Sequence, residues 1–469
     1  MRHRSRLLAA VLPALALGAC SLAPKYVTPA PPVPTSWPVG DAYLAQSEAA
    51  LPLVSYKDIF RDARLQALVD QALLNNRDLR VAAANLAAAR AQVRVTRANQ
   101  FPAVGVSGSA TDNETGGGFG QNGMNYSLQG GISSFEIDLF GRLANATESQ
   151  RNTALATEAA ARTVRLGLVA DIALAWATYA ADRDLLAIAQ STAANALDSV
   201  RLSSARLKGG VAARTELRQA EQVLETANGD VASQKAQLAQ DINAIRLLVG
   251  ADFDEALLPA GIDEVNAGLA ELPAGTDTQV LLRRPDVVQA EYELRAANAD
   301  IGVARAQLFP TISLSALVGF ASTSLSSLFD AASRTTTLGG DASWSIFNAG
   351  GVKANVDVTR AQRDAALATY EKAIQTAFSE VADALADQGT LAERLRAASA
   401  FTSAAQDSAR LTEATYRRGI ASSLDNLDAQ RSLYSARQAE ISVRLQQASN
   451  RVALYRALGG DQATAATKP

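Results

Sequence analysis

The chain has 469 residues, a formal net charge of −3, 48% hydrophobic residues, and a single histidine and a single cysteine. That length allows two or three ordinary domains, and the mild charge leaves no electrostatic footprint for nucleic acid. One cysteine excludes an internal disulfide.

Residues 1–19 have the parts of an export signal. Arg2, Arg4 and Arg6 supply the positive end, and Leu7 to Leu17 is an apolar stretch too short to span a bilayer as a stable helix. Leu17-Gly18-Ala19-Cys20 comes next, the pattern of a lipoprotein cleavage site. On this reading Cys20 becomes the first mature residue and carries lipid on its thiol and amine. The alternative is an ordinary signal with a chance cysteine, which would leave an odd free thiol in an oxidising compartment. Ser21 stands after it rather than aspartate, and by resemblance to known bacterial lipoproteins that directs the protein to the outer membrane. Processing removes His3, so the mature chain has no histidine, and loss of the three arginines takes the charge to −6. Histidine bases, His and Cys metal ligands, and Ser–His or Cys–His pairs disappear together. No phosphate-cradling glycine loop is present. The expectation is no catalytic residue, no metal, and no cofactor beyond the covalent lipid on Cys20.

After a lipidated extended segment, 20–63, the chain is written twice. Phe101-Pro102 recurs as Phe309-Pro310, 208 residues later. Gly210 matches Gly419, and Gly250 matches Gly459, both at an offset of 209. The repeats are 64–250 and 286–460, joined by 251–285 and trailed by a tail, 461–469. Each repeat has a helix ending at Phe-Pro, two alternating segments, a very long helix, a glycine turn and a further helix. No proline interrupts the chain between Pro102 and Pro259, or between Pro310 and Pro469.

The first repeat opens with a helix over about 64–99, then weak alternation at 103–112 and 125–135. Long helices are predicted from Arg142 to Leu207 and from Val352 to Arg417, each ~100 Å at ~1.5 Å per residue. The first has two apolar stripes: Leu166, Val169, Ala173, Trp176 and Ala180, and Leu168, Ile172, Ala175 and Tyr179. Two stripes call for neighbours on two sides. A helix over 213–249 closes the repeat. In the second repeat, Ile312, Leu314, Ala316, Val318 and Phe320 point one way, with Thr311, Ser313, Ser315 and Gly319 opposite and Leu317 as an exception among them. The partner segment sets Leu338, Ala342, Trp344 and Ile346 against Gly339, Asp341, Ser343 and Ser345. Such segments suit a spanning barrel wall; strands of a soluble sheet are the alternative. No segment after the signal has 18 uncharged apolar residues in a row, so a membrane crossing would be a β-barrel. The fold class is an α+β membrane protein with four strands plus long helices per chain. Four strands cannot close a membrane barrel of at least ~8 strands, so several chains must share one.

Leu282-Arg283-Arg284-Pro285-Asp286, Ala296-Ala297-Asn298, Ile301-Gly302, Ala304-Arg305-Ala306 and Phe309-Pro310 resemble the outer membrane factors of the TolC type, in their NodT/OprM-like lipoprotein branch. Leu65 to Leu79, Tyr416-Arg417-Arg418-Gly419, Leu427 to Leu433 and Tyr455 to Gly459 match as well, so the resemblance covers nearly the whole mature chain. It implies a homotrimer with a twelve-stranded β-barrel on a twelve-helix α-barrel. It implies a periplasmic adaptor and an inner membrane transporter of the RND type as partners, with outer membrane lipid around the barrel. The implied function is a passive exit duct for tripartite efflux of drugs, small molecules or ions. A type I protein-secretion duct, and a periplasmic coiled-coil scaffold without a barrel, are the alternatives.

The resemblance also implies a gate at the periplasmic tip. Asp425 and Asp428 match the family's constriction carboxylates, Leu424 and Arg431 match a gate leucine and arginine, and Tyr416 packs the turn. The helix turns at this tip lie at Gly209, Gly210 and Gly419. Asp428 and Arg431, three apart, share a helix face and could pair. Clustered carboxylates in a narrow ring attract cations. A solvated helix start is the alternative reading, since acids favour a helix N-terminus. The first-repeat positions Thr215, Gln219 and Gln222 lack the acid pair, so the gate is expected to be asymmetric. Asp341, on the predicted lumen face, is a lesser site.

Overall fold

The structure is a computed structural model that describes residues 21–43, 55–113, 123–271 and 278–460. The export signal, Cys20 and the tail from 461 lie outside the described residues. The chain forms two compact units. The first comprises Met1–Pro31, Ala84–Ala159 and Val288–Lys372; the second comprises Pro32–Ala83, Ala160–Val287 and Ala373–Pro469. Each unit draws on both repeats, so compact units and sequence repeats do not coincide.

The first unit holds one antiparallel sheet in the order β1-β2-β3-β4. Its strands are β1 Val104–Asn113, β2 Gly123–Ile137, β3 Thr311–Ser322 and β4 Arg334–Ser343. The β2–β3 pair joins the two repeats, and among the described residues β1 and β4 each pair along one edge only. The last strand differs from the expectation. It starts at Arg334 and stops at Ser343, so Trp344 and Ile346 lie beyond it. The indole of Trp344 instead donates to the Leu308 carbonyl at 3.1 Å. The segment Thr335-Thr336-Thr337 carries no polar–apolar alternation, but its β-branched residues suit a strand.

The N-terminal segment is strapped to this unit. Ser21 Oγ donates to Asn145 Oδ1 at 2.8 Å, Asn298 Nδ2 to the Pro24 carbonyl at 2.8 Å, and an Arg305 nitrogen to the Leu22 carbonyl at 3.0 Å. Arg295 lies over the Tyr26 ring at 5.0 Å.

The main helices among the described residues are α1 Ala63–Asn75, α2 Arg77–Ala98, α3 Arg142–Lys208, α4 Arg214–Val249, α5 Pro285–Ala306, α6 Gly351–Arg417 and α7 Ser423–Ala457. The long helices α3 and α6 have 67 residues each. Both predicted stripes of α3 are buried or half-buried: Val169, Ala173, Trp176 and Ala180 on one side, Leu168 and Ile172 on the other, with Asp171 exposed. One 18-residue window of α3 reaches a mean hydropathy of 1.3, enough by length and composition to cross a membrane. Half of that window is buried inside the chain, as in a core helix.

The single helix expected over 64–99 is two helices. Asn76, at φ −58° and ψ 137°, leaves the helical region. Its Oδ1 accepts from the Leu79 amide at 3.0 Å and its Nδ2 donates to the Leu248 carbonyl at 2.8 Å. One side chain thus caps α2 and ties it to α4.

The Arg284-Pro285-Asp286 motif has a structural task in the second unit. Arg284 is 6% exposed. It bonds Asp286 through two nitrogens at 3.1 and 2.7 Å, Glu380 at 2.7 Å, and the Ala457 carbonyl at 2.8 Å.

Candidate functional site

Strand register aligns the alternation across all four strands. Val106, Gly130, Val318 and Thr336 form one row of a face; Ile132, Ala316 and Leu338 form another, and Ile137, Ile312 and Ala342 a third. The opposite face carries Ser107, Gln129, Gly319 and Thr335, and below them Glu136, Ser313 and Asp341. A slip of one residue would turn every apolar side chain to the polar face, so this pattern holds the register. Among the described residues much of the apolar face is uncovered: Val106 is 79% exposed and Leu338 80%. Asp341 stands on the polar face, in agreement with the alternation of its segment.

Aromatic residues close both ends of the apolar face, a feature that the alternation alone does not reveal. Phe320 meets Phe329 edge-on at 5.7 Å, next to Tyr126. At the other end lie Phe135, Trp344 and the stacked pair Phe140–Phe309 at 4.5 Å. Tyr126 and Phe135 are nine steps apart on β2, ~30 Å along the strand and ~23 Å of depth at ~40° tilt. That matches the apolar band of a membrane barrel between its aromatic girdles. Aromatics at the ends of three of the four alternating segments, Tyr126, Phe135, Phe309, Phe320 and Trp344, were the available signal.

The turns lie in the second unit. Gly210 has φ +74° and Gly419 has φ +78°. The Val211 amide bonds the Arg206 carbonyl and the Gly210 amide the Leu207 carbonyl, both at 3.0 Å. Ile420 and Gly419 repeat this with Thr415 and Tyr416 at 3.0 and 2.9 Å. Both long helices therefore end in the same glycine motif, which satisfies their last carbonyls. Gly209 precedes the left-handed residue, and Arg418 fills that position in the second repeat.

After the second turn, Ser422 and Asp425 form a reciprocal cap. Ser422 Oγ accepts from the Asp425 amide at 3.1 Å, and Asp425 Oδ2 accepts from the Ser422 amide at 3.2 Å and the Ser422 hydroxyl at 2.7 Å. Asp425 is thus engaged at its own helix start. Leu424, Asp428 and Arg431 lie on one exposed stripe of α7 at helical spacing. The expected Asp428–Arg431 pair does not form among the described residues. Arg431 instead borders a cavity of about 360 Å³ with Gln222, Thr226, Asp230 and Tyr434. Tyr434 donates to Asp230 at 2.8 Å on that cavity's wall.

Tyr416 stands apart from the stripe. It is 3% exposed, its hydroxyl lies 3.4 Å from Ser203 Oγ, and the Arg206 guanidinium sits over its ring at 4.9 Å. It packs the two long helices together just before the turn. Nothing in the sequence links Ser203 and Arg206 to Tyr416, so neither stands out before folding. Glu216, one repeat offset before Asp425, is a further acid that the gate motif passes over, although the 209-residue offset points straight to it. The first repeat therefore lacks one of the two acids rather than both, and the asymmetry centres on Gln219 against Asp428.

A sheet that is apolar on one face, banded by aromatics and open at both edges defines one subunit of a shared transmembrane barrel. The chain belongs to the outer membrane efflux protein family, which matches residues 68–251 and again 278–460. It is 42% identical over 462 residues to the toluene efflux pump outer membrane protein TtgC of Pseudomonas putida, covering 97% of this chain and 95% of that one. It is 37% identical over 448 residues to the cation efflux system protein CusC of Escherichia coli, covering 95% and 97%. The solved open state of the Neisseria gonorrhoeae MtrE outer membrane channel is similar in fold, with a TM-score of 0.82, 32% identity, and coverage of 94% and 98%. The protein is an outer membrane efflux channel of a tripartite system.

Proposed function

We propose that three copies of this chain close a twelve-stranded barrel and form a passive, lipid-anchored exit duct. It would accept small molecules or ions from a periplasmic adaptor and an inner membrane transporter of the RND type. The observation that carries this reading is the four-stranded sheet with one apolar face and two open edges. Backbone groups on those edges cannot remain unpaired in lipid, and β4 of one copy paired with β1 of the next satisfies both. Cys20 is the anchor point on this reading. Its neighbour Ser21 is bonded to Asn145, in the first turn of α3 shortly after β2 ends, which supports an anchor at the level of the sheet end. The duct performs no chemistry: solute choice belongs to the transporter, and the wall supplies only a polar lining. The names of the relatives cover toluene and cations, so the cargo class proposed is small solutes rather than proteins.

The test is edge-to-edge crosslinking in native outer membranes. Single cysteines along β1 are paired with single cysteines along β4, and oxidised products are sized. A ladder ending at three chains is expected. A ladder ending at two chains, or none from any pair, sinks the shared barrel.

A further inference from the structure

Two carboxylates meet where α3 and α4 pack in the second unit. Asp241 on α4 is 7% exposed. Its Oδ1 accepts from Gln237 Nε2 at 3.1 Å, and its Oδ2 has no hydrogen-bond donor among the described residues. Asp182 on α3 lies beside it, half-buried and within reach of a carboxyl–carboxylate hydrogen bond.

The charged groups around this pair are engaged elsewhere. Arg183 donates to the Pro259 carbonyl at 3.0 Å. Asp184 accepts from the Ile262 amide at 2.8 Å, where Asp263, Arg444 and Arg183 act on it. On α1, Arg64 pairs with Asp62 and Glu264, and Asp70 with Lys57. Further along α4, Arg246 pairs with Asp252 at 2.9 Å. The charged neighbour that acts on Asp182 is Asp241.

The second repeat provides an internal comparison. At the 209-residue offset the two positions are Leu391 and Asn450, 5% and 7% exposed. Asn450 Nδ2 donates to the Ala384 carbonyl at 2.9 Å. One repeat fills these two sites with an apolar side chain and a satisfied amide; the other fills them with two acids. Two carboxylates at hydrogen-bond range with no cation cannot both ionise cheaply, so one retains a proton that serves both.

We propose that Asp182 and Asp241 share one proton and form a pH-sensitive clasp between α3 and α4, closed while the proton is held and loosened when it leaves. Burial, then the hydrogen bond and charge of Asp241, push Asp182 from 3.8 up to about 7. The folded chain therefore holds this proton over a range in which the unfolded chain has lost it. The clasp's contribution to stability is complete below 3.8, declines as pH rises, and is gone above about 7. Loosening is confined to the first repeat, because Leu391 and Asn450 do not titrate.

The test uses the purified full-length protein in detergent. Thermal melting is followed at about pH 5 and about pH 8, and infrared difference spectra report the carbonyl stretch of protonated carboxyls. The wild type is expected to show a carboxyl band that titrates near pH 7 and a lower melting midpoint at the higher pH. Asp241→Asn should remove the band and more than half of that fall. Asp182→Leu/Asp241→Asn, which installs the second repeat's pair, should do the same, so one variant's failure to fold does not decide the matter. A wild type without such a band, or a band that survives both variants, overturns the clasp. So does a midpoint at about pH 8 that magnesium restores to its value at about pH 5, which would make the pair a cation site.

Discussion

At the scale of single residues, the two turns separate what a glycine must do from what it merely permits. A Cβ on Gly210 or Gly419 would meet no atom within 4 Å, so the cost of Gly210→Ala or Gly419→Ala is purely one of backbone. A left-handed residue with a side chain costs ~1–2 kcal/mol, and each variant should lose about that much in denaturant unfolding. Gly209→Ala should be neutral or slightly stabilising. Its Cβ would sit at an ordinary 3.5 Å from two carbonyls, and the second repeat already carries Arg418 there. Equal losses at 209 and 210 would refute this assignment of the motif. Asp425 and Asp428, the two acids that the resemblance assigns to a gate, separate in the same way. Asp425→Ala breaks the cap with Ser422 and should cost ~1 kcal/mol of stability. Asp428→Ala breaks no hydrogen bond or ion pair among the described residues and should leave stability within ~0.5 kcal/mol, yet raise single-channel conductance and weaken cation block. If Asp428→Ala conducts like the wild type while Asp425→Ala alone opens the channel, the helix cap rather than the acid ring holds the tip shut.

At the scale of elements, the starts of α4 and α7 are a natural pair for comparison. Ser422 caps α7 reciprocally with Asp425, whereas Ala213 before α4 makes no side-chain cap. Ala213→Ser should therefore add ~0.5–2 kcal/mol, read as a higher melting midpoint; an unchanged or lower midpoint would mean that the start of α4 is held by other contacts. Arg284 is the opposite case, an element junction that cannot lose its charge. Burial would raise the Asp286 carboxyl, but the hydrogen bonds and charge of Arg284 outweigh it and hold the group below its ordinary range. Arg284→Ala would leave the Ala457 carbonyl without this donor and Asp286 without its partner; because Asp286 and Glu380 still reach solvent, the loss should be ~1.5–3 kcal/mol. These junctions explain which elements were legible in the sequence. The long helices could be placed to within a residue or two because proline-free helical periodicity is a local signal. The break at Asn76 was not legible, since the bond that anchors it goes to Leu248, far along the chain. The start of β4 was hidden by three threonines that carry no alternation. At the tip, glycine and acid positions were readable, but the burial of Tyr416 against Ser203 and Arg206 arises only from tertiary packing.

At the scale of the whole molecule, the duplication supplies two hairpins that join as one sheet, and the sheet remains incomplete until other copies close it. This makes the two faces of β3 a sharp test of the membrane reading. Val318 and Leu317 are consecutive, equally apolar, and on opposite faces: Val318 is paired with Gly130 and Thr336, and Leu317 with Gly131 and Thr337. By hydrophobicity alone, a lysine at either position should do equal harm. If the Val318 face meets lipid and the Leu317 face meets a watery lumen, the outcomes diverge. A lysine facing lipid near the midplane costs ~2–4 kcal/mol per copy, and closure by several copies multiplies that cost. Val318→Lys should be depleted from the outer membrane fraction and lose its heat-modifiable band on gels. Leu317→Lys should assemble normally and shift ion selectivity toward anions, because a lumen charge tunes conduction without entering the bilayer. Equal assembly of the two variants would mean that the apolar face is covered by protein instead of lipid, and the edge-sharing barrel would then have to be abandoned.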